Sequence, residues 1–194
     1  MFDTVSGSTA EMAILIRDNL RNISVDIADV SNVHSVDGYD AVIIGSPIRF
    51  GGFTGRIKRF VKKNHQALLS KKIILYFSSL YIIKLKEEKQ PAVKLYIDPT
   101  LKMQTILKKD ATPMDKSHSI GSYYEAVIKQ TLGIVPAAIA YFNGRLNLQK
   151  LNIVLRIFMT MVTLLTTKER VGDFLSPESV RQGAVVFEEI LDKG

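Results

Sequence analysis

The segment YDAVIIGSPIRFGGF, residues 39–53, constrains the fold more than any other part of the sequence. Its apolar run, residues 41–44, stops at Gly45 and enters a loop of small residues. This pattern is typical of a buried parallel strand that ends at a ligand-binding loop. Glycines let the backbone approach a flat partner, and Phe50 and Phe53 can cover an aromatic face. An ordinary strand-to-helix turn explains the pattern equally well.

A hydroxyl-rich loop near the amino terminus directly precedes a helical pattern. The loop consists of Thr4, Val5, Ser6, Gly7, Ser8 and Thr9. The apolar residues that share one face of the predicted helix are Met12, Leu15, Ile16 and Leu20. Free backbone amides and the helix dipole favour an anion at such a helix start. Because the glycine motifs of triphosphate and dinucleotide sites are absent, the loop predicts a site for a phosphate monoester. Ordinary capping by Ser8 or Thr9 is the alternative.

The rest of the chain alternates predicted strands and helices. Residues 24–28 predict a short strand, residues 54–69 an amphipathic surface helix, and residues 72–77 a third apolar strand. This third strand ends in the small loop Ser78, Ser79, Leu80 and Tyr81. A further strand is predicted over residues 137–142. Strands that end in small loops, with helices between them, imply an α/β fold with a parallel sheet covered on both faces.

Taken together, the three loops resemble those of the flavodoxin-like family. TVSGST is similar to the flavodoxin phosphate loop, YDAVIIGSPIRFGGF resembles the first isoalloxazine loop, and YFSSLY lies where the second flavin loop is expected. Within the family, GSPIRFGGFTGRIKRFVKKN and YFNGRLNLQKL resemble the flavin-dependent, quinone-linked protoporphyrinogen dehydrogenase type. The resemblance covers about two thirds of the chain and excludes its middle.

The resemblance implies a doubly wound parallel sheet of order 2-1-3-4-5 that binds FMN. It implies that residues 4–9 hold the phosphate. The residues implied to bracket the isoalloxazine are Ser46, Pro47, Ile48, Arg49, Phe50, Gly51, Ser78, Ser79, Leu80 and Tyr81. Phe50 or Tyr81 is expected to stack on the ring. Arg49 is expected to stabilise the anionic reduced flavin or a substrate carboxylate, or else to face solvent.

Three functions are compatible with this resemblance. The first is an FMN-dependent oxidoreductase with a quinone or another small-molecule redox partner. The second is an electron carrier that docks redox proteins, and the third is a regulatory module without flavin. The formal charge of +7 favours the enzyme over the carrier, because flavodoxins that carry electrons are typically acidic. No interleaved aromatic platform suggests nucleic acid.

Two segments depart from the family pattern. Only three residues precede Thr4, where the family has a full central strand, so we expect either a truncated first strand or a sheet without its middle strand. Such a chain should be poorly stable, and an upstream extension should stabilise it. Residues 84–133 exceed a simple crossover and predict an insertion, with helical patterns over 101–107 and 123–132. The insertion is either a substrate lid or partner surface, or a decoration of the sheet edge.

Composition and the remaining segments complete the prediction. The chain of 194 residues, 46% of them hydrophobic, is expected to form one domain, 1–194, that contains this insertion. Residues 148–167 predict a very apolar helix, packed in the core or contacting a membrane interface. A last helix is predicted from Ser176 to Leu191, with Pro177 at its first position. The absence of cysteine is compatible with a reducing cytoplasm, and His34, His65 and His118 show no metal-ligand spacing.

Overall fold

The computed structural model describes residues 1–48, 52–88, 91–146, 153, 156–157, 160 and 172–192. The strands in this part of the chain are β1 (Ala41–Pro47), β2 (Lys72–Ser79), β3 (Tyr81–Lys86), β4 (Lys94–Ile97), β5 (Lys102–Leu107), β6 (Ala138–Asn143), β7 (Arg145–Leu146) and β8 (Gly172–Asp173). The α-helices are α1 (Ser8–Asn19), α2 (Gly55–Lys63), α3 (His65–Leu69), α4 (Pro113–Ser117), α5 (Ile120–Gln130) and α6 (Pro177–Leu191).

A parallel sheet with the strand order β1-β2-β6-β4 forms the centre of the fold. The interior of β2 is buried along both faces, as is all of β6. Strands between two parallel neighbours and two helical layers read as continuous apolar runs, which explains the run KIILYF. Because all four strands are parallel, their carboxyl ends lie at one edge of the sheet.

Residues 1–3 extend this sheet beyond β1. Toward β1, the Asp3 N–H donates to the Gly45 carbonyl at 3.0 Å, and the Gly45 N–H donates to the Met1 carbonyl at 3.0 Å. On the other side, the Phe2 N–H donates to the Ala28 carbonyl at 3.1 Å. The predicted flavodoxin-like parallel sheet is therefore confirmed, with residues 1–3 pairing at the central position and with β4 added beside β6. The alternative in which the middle position stays empty is wrong.

The predicted strand at residues 24–28 is wrong as a regular strand. The chain there pairs with the first residues only through an isolated bridge between Phe2 and Asp29. Residues 1–3 offer too few backbone groups for residues 24–28 to form a regular strand beside them. This side of the sheet is therefore held by few backbone hydrogen bonds.

Helices cover both faces of the sheet. On one face, α2, α3 and α5 pack against Leu75 and Phe77, and on the other, α1 and α6 pack against Ile74 and Tyr76. This division follows from the alternation of side chains along β2. The last helix begins as predicted, with Ser176 as its cap and Pro177 first. Its buried residues are Ser179, Val180, Gly183, Ala184 and Phe187.

Residues 84–133, the predicted insertion, contain strands as well as helices. The helical prediction for residues 101–107 is wrong, because Lys102–Leu107 forms β5, which pairs in parallel with β3. The helical pattern at 123–132 belongs to α5. The predicted helix at 54–69 is divided into α2 and α3 at Asn64.

The predicted helix at residues 148–167 lies outside the described residues except for 153, 156, 157 and 160, which are helical. Among the described helices, none has both the length and the apolar character that crossing a membrane requires.

Candidate functional site

The phosphate-type loop, residues 4–9, ends in a helix start without a side-chain cap. Gly7 is the cap residue and has a φ of 91°, which glycine adopts without strain. Ser8 and Thr9 are helical, so the interpretation of either as the capping residue is wrong. The first helical hydrogen bond runs from the Glu11 N–H to the Gly7 carbonyl at 3.0 Å. The amides of Ser8, Thr9 and Ala10 pair with no other described residue, which is the arrangement that suits an anion.

Hydroxyl groups connect this loop to two other segments at the same edge of the sheet. The Ser6 hydroxyl lies 3.3 Å from the Ser8 hydroxyl and donates to the Arg145 carbonyl at 3.1 Å. The Ser8 hydroxyl lies 3.2 Å from that of Ser78, at the end of β2. Thr4 closes the loop by accepting the Gly7 N–H at 3.0 Å. The structure thus brings the predicted phosphate loop against the predicted second flavin loop.

Tyr76 supports the loop from below. Its hydroxyl donates to the Thr9 carbonyl at 2.9 Å, and its fully buried ring crosses Gly45. A Cβ at Gly45 would lie 2.0 Å from the ring carbon Cζ of Tyr76. Gly45 therefore makes room for the Tyr76 side chain of the protein's own core. The sequence had instead suggested that this glycine lets the backbone approach a ligand. Val5, which belongs to the same predicted phosphate loop, is exposed.

The predicted first flavin loop begins at the end of β1. Ser46 is fully buried, and its hydroxyl donates to the Pro47 carbonyl and accepts the Thr54 N–H. Ile48 continues toward β2, because its N–H donates to the Ser78 carbonyl at 3.1 Å. The hydroxyl of Ser46 therefore holds its own loop. Three further predicted residues lie outside the described part of the chain: Arg49, Phe50 and Gly51.

The far end of this loop is held by the insertion. The Phe53 N–H donates to the Gln130 Oε1 at 2.8 Å, so α5 anchors the loop where it turns toward α2. The side-chain amide of Gln130 also lies against Gly52, where an added Cβ would be 2.3 Å from its Nε2. Phe53 is buried and packs on Phe77 with ring centroids 5.3 Å apart. Its ring belongs to the core and does not cover the edge of the site.

The predicted second flavin loop joins β2 to β3. The Ser79 hydroxyl donates to the Tyr81 carbonyl at 2.8 Å, and the Ser79 carbonyl accepts the Gly144 N–H at 2.8 Å. Leu80 is half-buried between these residues. The Tyr81 ring stacks on His118, with centroids 5.1 Å apart and planes 13° apart. One face of the predicted stacking residue is therefore already covered by the insertion.

Arg145 is a site residue that the sequence interpretation missed. Its guanidinium pairs with Glu11 in the first turn of α1 at 3.0 Å and also with Asp173 in β8. The hydrogen bond with Asp173 raises the pKa of Arg145, and the same bond lowers the pKa of Asp173. Arg145 lies 134 residues from Glu11 along the chain, and Asp173 lies farther still. No local spacing therefore indicated this cluster.

A second missed network anchors the short first strand. Asp3 is buried, accepts the Thr54 hydroxyl and pairs with Arg56 on α2. Arg56 also pairs with Asp29 at 3.2 Å, so one side chain joins α2 to the first strand and to its outer neighbour. This network compensates in part for the few ladder bonds on this side of the sheet.

Asp98 is a buried carboxylate near the same edge, and its contacts are structural. It accepts the Thr100 N–H at 2.8 Å and the Asn143 N–H at 3.0 Å, and so joins the turn after β4 to the end of β6. These bonds occupy both of its oxygens. Within the described ranges, no group of three or more His, Asp or Glu side chains could hold a metal ion.

A doubly wound parallel sheet with three loops at its carboxyl edge defines the flavodoxin class. The chain belongs to the flavodoxin-domain family, whose model matches residues 1–171. The predicted family is thus confirmed.

Similar curated proteins include the protoporphyrinogen IX dehydrogenases (quinone) of Escherichia coli strain K12, strain CFT073 and O157:H7. Each is 31% identical over 101 residues, which are 50% of this chain and 55% of the relative. The chain therefore matches about half the length of these relatives.

Proposed function

We propose that the chain binds FMN and acts as an oxidoreductase with a quinone-type acceptor. The observation that carries the proposal is the uncapped start of α1, whose free amides lie beside the hydroxyls of Ser6 and Ser8 at the carboxyl edge of the sheet. Similarity to quinone-linked dehydrogenases supports the choice of acceptor.

The residues present fit such a cofactor. A phosphate monoester needs N–H and O–H donors, and the first turn of α1 supplies both. Arg145 neutralises Glu11 in that turn, which reduces the repulsion between this carboxylate and a phosphate. The ring would lie between Ile48 and the loop from Ser79 to Tyr81. When bound, the flavin supplies hydride or single-electron transfer, while the loops orient it and exclude water.

One observation favours the enzyme over an electron carrier. A carrier exposes the edge of its flavin to protein partners, whereas here the insertion packs His118 over Tyr81 at the second loop. The imidazole Nδ1 lies 2.9 Å from the Met114 carbonyl, so α4 holds the ring in this position. A second loop that is already covered by His118 suits the binding of a small substrate better than the docking of a protein partner.

The proposal is tested with the purified full chain. We expect it to quench the fluorescence of added FMN with 1:1 stoichiometry and to show flavin absorbance. Under anaerobic conditions, bound flavin should bleach with a reductant substrate such as a porphyrinogen, and a soluble quinone should restore the colour. A folded chain that neither carries nor gains flavin would contradict the proposal, and bleaching without reoxidation by quinone would contradict the acceptor.

Replacing the hydroxyls of the phosphate-type loop is expected to weaken FMN binding. The double variant Ser6→Ala/Thr9→Val should raise the Kd for FMN by at least about tenfold, because hydrogen bonds to a charged group contribute roughly 1.5–3 kcal/mol each. Riboflavin, which lacks the phosphate, should bind both proteins alike. A matched variant, Ser35→Ala/Ser70→Ala, removes two hydroxyls elsewhere and should leave FMN binding unchanged. Equal FMN affinity of all three proteins would argue against the phosphate assignment.

Replacing Arg145 is expected to weaken FMN through charge. Arg145→Gln leaves the Glu11 carboxylate without its partner beside the phosphate, and we expect a rise in Kd for FMN of about tenfold. Adding Glu11→Gln to this variant should restore most of the affinity, since the repelling charge is then absent. Titrations with FMN and riboflavin at low salt measure both effects. A loss that Glu11→Gln does not reverse would show that Arg145 acts by holding β7 and β8 in place.

A further inference from the structure

The positive charge of the chain is concentrated in one segment. Residues 55–72 contain seven Lys or Arg residues and no Asp or Glu. The whole chain has 26 basic and 19 acidic residues, so the remainder contains 19 of each and is electroneutral. The net charge of +7 therefore belongs entirely to α2, α3 and the start of β2.

Four of these cations form an exposed face of α2. Lys58, Arg59, Lys62 and Lys63 recur at the spacing of successive helical turns and are all exposed. None of the four forms an ion pair with a carboxylate in the described part of the chain, whereas Arg56 pairs with Asp3 and Asp29. The opposite face of α2 packs into the core through Ile57, Phe60 and Val61. We call these four residues the basic face.

Exposed apolar side chains lie near the carboxyl end of this helix. Leu69, at the end of α3, is 55% exposed, and Leu132 is 54% exposed. The carbonyl of Leu132 lies 3.2 Å from the Nε2 of His65, the first residue of α3, so the turn after α5 lies beside α3. Leu69 and Leu132 therefore lie at the two ends of α3, the helix that follows α2 along the chain. Exposed leucine combined with unpaired lysine is the composition of a surface that meets lipid headgroups and the upper acyl region.

We propose that the basic face, together with Leu69 and Leu132, binds the surface of an anionic lipid bilayer. The cations are attracted by the negative surface potential, and the leucines enter the interface. Nucleic acid is disfavoured because no aromatic side chain is exposed between the cations of α2 for bases to stack on. An acidic protein would match the charges but gives no reason for the exposed leucines. The proposal does not depend on flavin binding.

The test is flotation of the full chain with vesicles of phosphatidylcholine, with and without phosphatidylglycerol. We expect binding to the anionic vesicles at low salt and its loss at high salt. The variant Lys58→Gln/Arg59→Gln/Lys62→Gln/Lys63→Gln should reduce the partition coefficient by at least about tenfold. The control Lys84→Gln/Lys86→Gln/Lys102→Gln/Lys108→Gln removes the same charge from β3, β5 and the turn after β5, and should keep most of the binding.

Other outcomes would overturn the proposal. Equal losses in the two variants would mean that net charge, and not this face, determines binding. Equal binding to neutral vesicles would exclude the electrostatic mechanism. Binding to polyglutamate without binding to vesicles would assign the face to an acidic protein instead. Circular dichroism and urea unfolding establish that both variants are folded, and if the fourfold variant is not, Lys62→Glu/Lys63→Glu serves in its place, with Lys84→Glu/Lys86→Glu as its control.

Discussion

Replacing Gly45 by alanine is expected to lower the free energy of unfolding by about 3 kcal/mol or more, at the upper end of the cost of overpacking a core. A Cβ at this position would overlap the Tyr76 ring, whose Cζ would lie only 2.0 Å away. The ring is fully buried between α1 and the sheet and has no room to move aside. Urea unfolding followed by circular dichroism measures the change.

Two companion variants make this prediction specific. Gly55→Ala adds the same methyl group at the exposed start of α2, where the nearest neighbouring atom is 3.8 Å away, and should have little effect on stability. Combining Gly45→Ala with Tyr76→Leu should cost less than the sum of the two single changes, because removing the ring removes the overlap. Strictly additive costs would show that the Tyr76 ring is not what Gly45 accommodates.

In a chain that begins at Met1, stability is expected to fall by about 3 kcal/mol as the pH drops from above 8 to below 6. The amino group of Met1 donates to the Ile43 carbonyl at 2.9 Å, and burial lowers its pKa from the ordinary value of 8.0 to about 6. Between these values the unfolded chain binds a proton that the folded chain does not. Above pH 8 the amino group is neutral in both states, so folding no longer requires the unfolded chain to release this proton.

Acetylation of the amino terminus provides the control. The acetylated chain has no charge to bury and should lose less stability over the same pH range. All other titratable groups are common to the two proteins, so their contribution cancels in the difference. An upstream extension, which also replaces the ammonium by an amide, should behave like the acetylated chain and add ladder bonds. Identical pH dependence of the free and acetylated chains would contradict the assignment to Met1.

The parts of the fold that the sequence predicted are those determined by local patterns. The apolar runs at residues 41–44 and 72–77 are buried strands, because continuous apolar runs of this length suit a covered parallel sheet. The loops converge because parallel strands place their carboxyl ends together. The start of α6 followed from Ser176 and Pro177, whose preference for helix starts is also local.

The parts that could not be predicted depend on contacts distant in sequence. The segment at 102–107 has a helical apolar pattern, yet its pairing with β3 decides its conformation, and strand preference is strongly context-dependent. The contact of Tyr76 with Gly45 and the pairing of Arg145 with Glu11 join segments 31 and 134 residues apart. No spacing within the sequence distinguishes these residues from ordinary strand, turn and surface residues.

The predicted insertion, residues 84–133, supports both the central sheet and the two flavin-type loops. Gln130 fixes one of the two flavin-type loops, and His118 covers the start of the strand after the other. The insertion also supplies β4, which occupies the outer edge of β6. A shortened version without residues 84–133 would therefore expose a row of unpaired peptide groups on a hydrophobic strand, and open β-edges of that kind recruit other chains. Trimming this protein toward a minimal flavodoxin would thus produce a self-associating species.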